Sequence, residues 1–94
     1  MNKDAYLEKF KAKLDEWNAE LEILEAKAKG ASADAKIRYE EDASTFRKRL
    51  HAARERAKEM KAANENAWDD LRQGVEDAWK EVKDALERAK SEFK

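Results

Sequence analysis

The chain contains one histidine, His51, and several pairs of adjacent carboxylates, which are the side chains that could perform acid–base chemistry or bind a metal ion. A zinc-type site needs further imidazole or thiolate ligands, and the sequence has no second histidine and no cysteine. Adjacent residues on a helix point about 100° apart, so each carboxylate pair is expected on a solvated face. The sequence therefore predicts no metal, no cofactor and no catalytic residue. The carboxylate pairs are Glu40-Glu41, Asp69-Asp70 and Glu76-Asp77.

Residues 46–58 form a basic cluster with six basic side chains and one acidic side chain. Such a cluster could contact the phosphates of a nucleic acid. The whole chain, however, has 21 basic and 22 acidic residues, and the segments on either side of the cluster are acidic. We therefore expect these cations to pair with carboxylates of the same chain, and the sequence argues against a nucleic-acid partner.

Composition predicts an all-α protein. Charged residues make up 46% of the 94 positions, only two glycines occur, and proline is absent. Such a composition is typical of long helices and coiled coils, and no segment has the pattern of a strand. The length suits one domain over residues 1–94 with a modest core. No run of residues resembles a signal peptide or a membrane span, so a cytoplasmic location is expected.

The C-terminal segment contains an eleven-residue repeat. AWDDLRQGVED (residues 67–77) is followed by AWKEVKDALER (78–88) and by the shorter AKSEFK. Eleven residues close three helical turns at about 3.67 residues per turn, so equivalent positions share one face. The repeat therefore predicts an amphipathic helix whose apolar seam is a packing or interaction surface. The seam consists of Trp68, Leu71, Val75, Trp79, Val82, Leu86 and Phe93.

The two flanks of this seam differ in side-chain size and charge. One flank carries small residues, Gly74 among them, and should let a neighbouring backbone approach closely. The other flank carries Arg72, Lys83 and Lys90, whose aliphatic stems can cover the edge of the seam. A glycine inside a helix costs about 1 kcal/mol relative to alanine, so Gly74 is expected to have a packing role.

Three motifs together resemble a family of short bacterial proteins known as coiled-coil-domain or stress-response proteins. They are LDEWNAE (14–20), ADAKI (33–37) and Trp-x-x-Leu-x-x-Gly-Val-Glu-x-Ala-Trp (68–79). The likeness covers nearly the whole chain, and it implies a role in stress response without supplying any catalytic residue. Members of this family often have a Ser-Gly-Asp-like break before Ala-Trp, whereas residues 63–66 here read Ala-Asn-Glu-Asn and lack the glycine.

Apolar residues in the first part of the chain step by three and four positions, as in a helix that packs along one seam. The pattern predicts a first helix over residues 3–29. Its seam consists of Leu7, Phe10, Leu14, Trp17, Leu21, Leu24 and Ala28. Gly30 is expected in the left-handed conformation after this helix, and Ser32 or Asp34 is expected to cap the next one.

The central segment shows the same steps with smaller residues and predicts a second helix over residues 33–63. Its seam consists of Tyr39, Ala43, Phe46, Leu50, Ala53, Ala57 and Met60. These small residues are expected to oppose the bulky residues of the other helices. Asn66, with Asp69 three residues later, is expected to begin a third helix over residues 66–93. Ile23 and Ile37 lie off the seams and are expected to be exposed.

Two architectures compete at Asn64–Asn66. If the chain turns there, three helices of similar length form an antiparallel up-down-up bundle. If it continues, residues 33–93 form one helix on the order of 90 Å long. The first helix would cover only half of that helix, and Trp68, Val75 and Trp79 would need a second chain to bury them. The three-helix bundle is the prediction, and the long helical hairpin, dimerising as a coiled coil, is the alternative.

The function that follows is that of a non-enzymatic structural or interaction protein, whose partner is a second copy or another helical protein. The alternative is a protein that binds membrane surfaces, because amphipathic repeats with tryptophan and a basic flank are typical of helices that lie on lipid. The repeat is short, however, it has one flank of small residues, and its net charge is negative. These features favour a protein partner over a lipid.

Overall fold

The computed structural model describes residues 2–93, which form three α-helices. Helix α1 spans Lys3–Ala28, α2 spans Ala33–Ala62 and α3 spans Glu65–Ser91. The helices pack as an antiparallel bundle measuring 51 × 18 × 17 Å, and no strand occurs within the described residues. The prediction of an all-α three-helix bundle is confirmed. The chain turns after α2, so this structure does not contain the continuous second helix of the alternative.

Each helix begins at a polar side chain that accepts a hydrogen bond from the backbone three residues later, which satisfies one of the N–H groups left over at a helix start. Asn2 accepts from the N–H of Ala5 at 2.7 Å. Ser32 accepts from Ala35 at 3.3 Å, so the prediction of Ser32 as a cap is confirmed. The cap of α3 is Asn64, which accepts from Ala67 at 3.0 Å.

The expectation that Asn66 begins α3 is wrong, because Asn64 is the cap and Asn66 lies within the first turn. Asn64 has an extended backbone with φ −74° and ψ 168°, as an N-cap requires. Starting the helix here also places Glu65 in the first turn, where the helix dipole stabilises a carboxylate.

The expectation that Gly30 adopts the left-handed conformation is also wrong, because no glycine in residues 2–93 has a positive φ. Lys29 keeps a helical backbone, and the chain then turns through the extended Ser32. The N–H of Gly30 donates to the carbonyl of Lys27 at 3.2 Å, which satisfies one of the last carbonyls of α1. A left-handed residue is therefore not needed to end this helix.

The seams predicted for α1 and α2 form two sides of the core. All seven seam residues of each helix are buried, which confirms both patterns. The hydroxyl of Tyr39 on the α2 seam donates to the carbonyl of Leu21 at 3.1 Å, so this buried polar group has a partner. Ile23 and Ile37 are exposed to 61% and 57%, as expected for positions off the seams.

Helix α3 faces the core with a side that differs from its predicted seam. Its buried residues are Val75, Ala78, Val82, Ala85, Leu86 and Ala89. Three of them are alanines from the small-residue flank, and α2 also buries three alanines. Helices α2 and α3 are the pair whose backbones approach most closely. Small side chains on both helices account for this close approach, because little bulk separates the two backbones.

Gly74 does not have the packing role that its position suggested. A Cβ atom built there would meet only the side chain of Arg56, at 3.8 Å from Nη1 and 4.0 Å from Cδ, which are ordinary contact distances. We expect Gly74→Ala to raise the free energy of unfolding by about 1 kcal/mol, since alanine is the better helix former. Urea unfolding followed by circular dichroism measures this change. A lower stability for Gly74→Ala would contradict the packing described here.

Candidate functional site

Trp79 of α3 lies against two aromatic side chains of α1. Its ring centroid is 5.5 Å from that of Phe10 and 5.2 Å from that of Trp17, the latter pair meeting edge to face at 80°. Phe10 and Trp17 are almost fully buried, whereas Trp79 remains partly exposed. Aromatic pairs of this kind contribute about 0.5–1.5 kcal/mol beyond the area they bury. We call these three residues the aromatic row.

Trp79 therefore packs against large rings of α1 rather than against the small residues of α2. The sequence predicted that large residues would oppose small ones, but the alanines of α2 lie in the helix pair with the closest backbones. The aromatic row holds α1 against α3. Large rings also join α2 to the C-terminal segment, because the ring centroids of Tyr39 and Phe93 lie 5.6 Å apart.

A second aromatic contact lies at the end of the bundle where α3 begins. The rings of Tyr6 and Trp68 meet at 84° with centroids 6.2 Å apart. The guanidinium of Arg72 lies 5.8 Å from the Tyr6 centroid and 5.7 Å from the Trp68 centroid, and its Nε donates to Glu76 at 3.2 Å. Burial and the nearby Glu76 carboxylate raise the pKa of Tyr6, and Arg72 partly offsets this rise.

The indole N–H of Trp68 is buried and has no acceptor among residues 2–93. A buried donor without a partner loses its hydration without compensation, at a cost of about 1–3 kcal/mol. The ring itself contacts Tyr6 and Arg72 favourably. Packing of the ring, and not hydrogen bonding of its N–H, therefore holds Trp68 in place.

The residues of the predicted packing and interaction seams divide into two groups. Four of them are buried in the bundle core. These are Trp17, Val75, Val82 and Leu86. The other four pack against the core but keep part of their surface exposed. These are Trp68, Leu71, Trp79 and Phe93. The C-terminal repeat thus contributes to the core and to the molecular surface at once.

Two cations on the face formed by α1 and α3 have a carboxylate nearby. Lys13 lies 5.7 Å from the ring centroid of Trp17 and 3.4 Å from an oxygen of Glu16. Lys90 of α3 reaches Glu20 of α1 at 3.5 Å. The surface around the aromatic row is therefore a mixture of positive and negative groups, and it has no strong preference for an anionic ligand.

The basic cluster of α2 makes the contacts within the chain that its sequence predicted. Arg47 pairs with Glu25 at 3.0 Å and Arg54 pairs with Asp15 at 3.2 Å, and both acceptors belong to α1. Each of these pairs is largely exposed, so each contributes about 0–1 kcal/mol. Their main effect is to favour one arrangement of α1 against α2. His51 lies exposed on the same helix.

The carboxylates that could have served acid–base or metal chemistry lie on the outside of the bundle. Asp69 and Asp70 are exposed, as are Glu40 and Glu41. No group of three or more His, Asp or Glu side chains in residues 2–93 is placed to hold a metal ion.

A groove between α1 and α2 gave no signal in the sequence. Its floor is formed by buried apolar side chains, and its two walls carry opposite charges. Carboxylates dominate the α1 wall and basic groups form the α2 wall. The lining residues include Leu7, Leu14 and Ala57 on the floor, Asp4, Glu8 and Asp15 on α1, and Arg54, Lys58 and Lys61 on α2. The exposed lining of the groove is mostly carbon, since the floor is apolar and the charged wall residues add their aliphatic stems.

A carboxylate pair between α2 and α3 was also not foreseen, because its members are 50 positions apart in sequence. Asp42 faces Glu92, whose carboxylate accepts a hydrogen bond from Nε of Arg38 at 2.8 Å. Burial raises the pKa of Asp42, and the negative charge of Glu92 raises it further, while Arg88 acts in the opposite direction. The ionised form of Asp42 is therefore disfavoured in the folded chain.

We expect Asp42→Asn to raise the melting temperature at pH 7, because it removes a charge that the folded state disfavours. The folded chain binds this proton more tightly than the unfolded chain, so the stability of the original protein falls as the pH rises through the raised pKa. The advantage of Asp42→Asn should shrink below pH 3.8, the ordinary aspartate pKa, where Asp42 is protonated in both states. Thermal melts at pH 7 and pH 3 measure this, and an equal advantage at both values would contradict it.

Comparison of the chain with protein-family models, with curated proteins and with solved structures finds no match. Within residues 2–93, no helix combines the length and the apolar character needed to cross a bilayer.

Proposed function

We propose that this chain is a non-enzymatic helical protein that acts by packing its helices against a protein partner. One observation carries this proposal, which is that the C-terminal repeat keeps large apolar side chains at the surface of a complete bundle. Trp68, Leu71 and Trp79 all contact the core and all remain partly exposed. Single exposed apolar residues are common, but these lie on one seam of one helix. Aromatic residues are enriched where proteins meet other proteins.

The partner in this proposal is a second copy of the chain or another helical protein. A helix that docks on another helix uses side chains spaced by three and four residues, and the seam of α3 has this spacing. The resemblance to short bacterial coiled-coil-domain and stress-response proteins supports a cytoplasmic role in stress response. Movement of α3 away from α1 would uncover Trp79 completely and present the repeat to the partner.

Binding to a membrane surface is the competing function. The ion pairs beside the apolar seam of α3 argue against it. A lipid-binding helix uses unpaired cations beside its apolar face to meet anionic headgroups. Here Arg72 lies beside Glu76, and Lys90 lies beside Glu20. Each carboxylate offsets the charge of its partner, which leaves Lys83 as the one cation of this flank without an ion pair among residues 2–93. A single such cation attracts an anionic surface weakly.

Tryptophan fluorescence and circular dichroism separate these functions. In the proposed function, the full chain melts cooperatively without lipid and has a defined mass by light scattering. Vesicles of phosphatidylcholine and phosphatidylserine should then leave the emission maximum and the helical signal unchanged. A blue shift with a gain of helicity on these vesicles, absent with phosphatidylcholine alone, would overturn the proposal in favour of membrane binding. Strongly salt-dependent binding of duplex DNA would also overturn it.

A further inference from the structure

The joint between α2 and α3 consists of two residues whose backbones differ from a helix mainly in one dihedral angle. Ala63 has φ −77° and ψ 149°, and Asn64 has φ −74° and ψ 168°. Both φ values lie within the helical range, so rotation about ψ at these two residues would make α2 and α3 continuous. Residues 62–66 contain neither glycine nor proline, and alanine is the best helix former. The joint is therefore compatible with a straight helix.

The bent joint replaces several hydrogen bonds of a continuous helix, and the one between Ala67 and Ala63 shows how both of its groups find other partners. In a straight helix the N–H of Ala67 would donate to the carbonyl of Ala63. In the bundle, the side chain of Asn64 accepts from the N–H of Ala67 at 3.0 Å. The ammonium of Lys3 donates to the carbonyl of Ala63 at 2.8 Å and to that of Lys61 at 3.2 Å. Asn64 thus satisfies the donor and Lys3 satisfies the acceptor.

Lys3 belongs to α1, so the bend depends on a contact between distant parts of the chain. Its ammonium lies at the C-terminal end of α2, where the helix dipole favours a positive charge. Removing Lys3 would leave the Ala63 carbonyl without this donor, and a straight joint would restore a backbone donor to it. Lys3 and Asn64 therefore stabilise the bent joint against the straight one.

A second copy of the chain can supply every contact that α3 makes in the bundle. Within one chain, α3 contacts α2 through Arg38 with Glu92 at 2.8 Å, and through Arg49, which donates to the carbonyl of Glu81 at 3.0 Å. It contacts α1 through Trp79 of the aromatic row. With a straight joint, α3 would make the same contacts with α1 and α2 of the other copy. Short hinges between packed elements favour such an exchange.

We infer that the partner of the C-terminal repeat is a second copy of this chain, and that two copies dimerise by exchanging α3. This inference goes beyond the proposed function, because an exchange that reproduces the contacts of the bundle leaves the exposed surfaces of Trp68, Leu71 and Trp79 available to a further partner. In the exchanged dimer, residues 33–91 form one continuous helix, and two bundles form from complementary parts of the two chains. The contacts of Lys3 and Asn64 set the balance between the bent monomer and the exchanged dimer.

The equilibrium between the bent monomer and the exchanged dimer is tested by light scattering after the protein is refolded at increasing protein concentration. Lys3→Met keeps the aliphatic stem and removes the donor, and Asn64→Ala removes the cap. Each should raise the dimerisation constant by about tenfold or more, because the dimer contains two joints and a cap changes the equilibrium of each one severalfold. Lys9→Met is the matched control on the exposed face of α1 and should leave the constant unchanged. Ala63→Gly should favour the monomer, because glycine disfavours the straight joint.

Spin labels identify the exchange directly, and the absence of native cysteine makes labelling specific. Lys48→Cys and Lys80→Cys place labels at exposed positions on α2 and α3. Labelled chain is refolded with excess unlabelled chain, so that only distances within one chain are measured. A bent chain gives a distance of the order of the 18 Å bundle width. A straight chain separates the two positions by about 48 Å at 1.5 Å per residue.

The inference requires the short distance in the monomer fraction and the long distance in the dimer fraction. A short distance in the dimer fraction would overturn the exchange, because the copies would then associate as intact bundles. Monomers at every concentration for Lys3→Met and Asn64→Ala, with cooperative melts showing that both are folded, would also overturn it. Neither result would contradict the proposed function, which the vesicle and DNA experiments test separately.

Discussion

Trp17→Ala is expected to lower the free energy of unfolding by about 3–5 kcal/mol, the cost of replacing a large buried aromatic residue with alanine. Trp17 is 6% exposed, and its ring meets that of Trp79 edge to face at 5.2 Å. The substitution removes this contact and leaves a cavity between α1 and α3. Urea unfolding by circular dichroism measures the loss. Ile23→Ala on the same helix is the control, since Ile23 is 61% exposed and its loss should change stability by less than about 0.5 kcal/mol.

A double-mutant cycle isolates the contact between the two tryptophans. Trp79→Ala should cost less than Trp17→Ala, because Trp79 is partly exposed in the folded chain. The coupling energy of the pair should be about 0.5–1.5 kcal/mol, as for other aromatic pairs. If Trp17→Ala leaves too little folded protein to measure, Trp17→Phe keeps an aromatic ring and reports the smaller loss. Equal midpoints for Trp17→Ala and Ile23→Ala would show that the aromatic row does not hold α1 against α3.

The sequence predicted the buried sides of α1 and α2 correctly because large apolar residues mark them at steps of three and four. In α3 the same rule predicted a buried side that includes Trp68 and Trp79, although both remain partly exposed. Trp68 and Trp79 mark the side toward α1, whereas Ala78 and Ala85 mark the side toward the closest backbone neighbour, α2. Alanine carries a weak hydrophobic signal whether it is buried or exposed. The direction of a helix that buries alanines is therefore poorly determined by its sequence alone.

The joints were harder to predict because contacts between distant residues decide them. Asn64 and Asn66 are both suitable caps by residue type. The contact of Lys3 with the carbonyl of Ala63 favours a turn immediately after Ala63, and these two residues are 60 positions apart. The same limit applies to Asp42, whose pKa is raised by burial in the packed bundle and by the carboxylate of the distant Glu92. Local sequence patterns predict the helices and most of the core. The position of the turn between α2 and α3 and the raised pKa of Asp42 depend on how the helices pack.

Exposed ion pairs between helices favour one arrangement of the bundle more than they stabilise it. Arg47 with Glu25 and Arg54 with Asp15 join the basic second helix to the acidic first helix. Each pair contributes about 0–1 kcal/mol and weakens with salt. The buried apolar side chains of the three helices therefore supply most of the stability. The charges disfavour arrangements in which like-charged segments of two helices lie side by side.

Ala53→Leu should show how closely α2 approaches α3, because it adds three carbon atoms at a position that is 0% exposed on a helix of the closest pair. Overfilling a packed core costs about 1–3 kcal/mol, since side chains and backbone must shift to admit the new atoms. Ala52→Leu is the matched control. It makes the same substitution one position earlier on the exposed face of α2, and it should change stability by less than about 0.5 kcal/mol.

The urea midpoints of the two leucine variants distinguish close packing from loose packing of α2 on α3. The comparison requires that the unfolding free energy of both variants depends on urea concentration with the same slope. A lower midpoint for Ala53→Leu alone means that the alanines are required for the helices to meet. Equal midpoints for both variants would mean that space remains beside Ala53, and small side chains would then not explain the close approach. Because α2 and α3 would make the same contacts in an exchanged dimer, Ala53→Leu should weaken the monomer and the dimer alike. Lys3→Met, in contrast, should shift the balance between them.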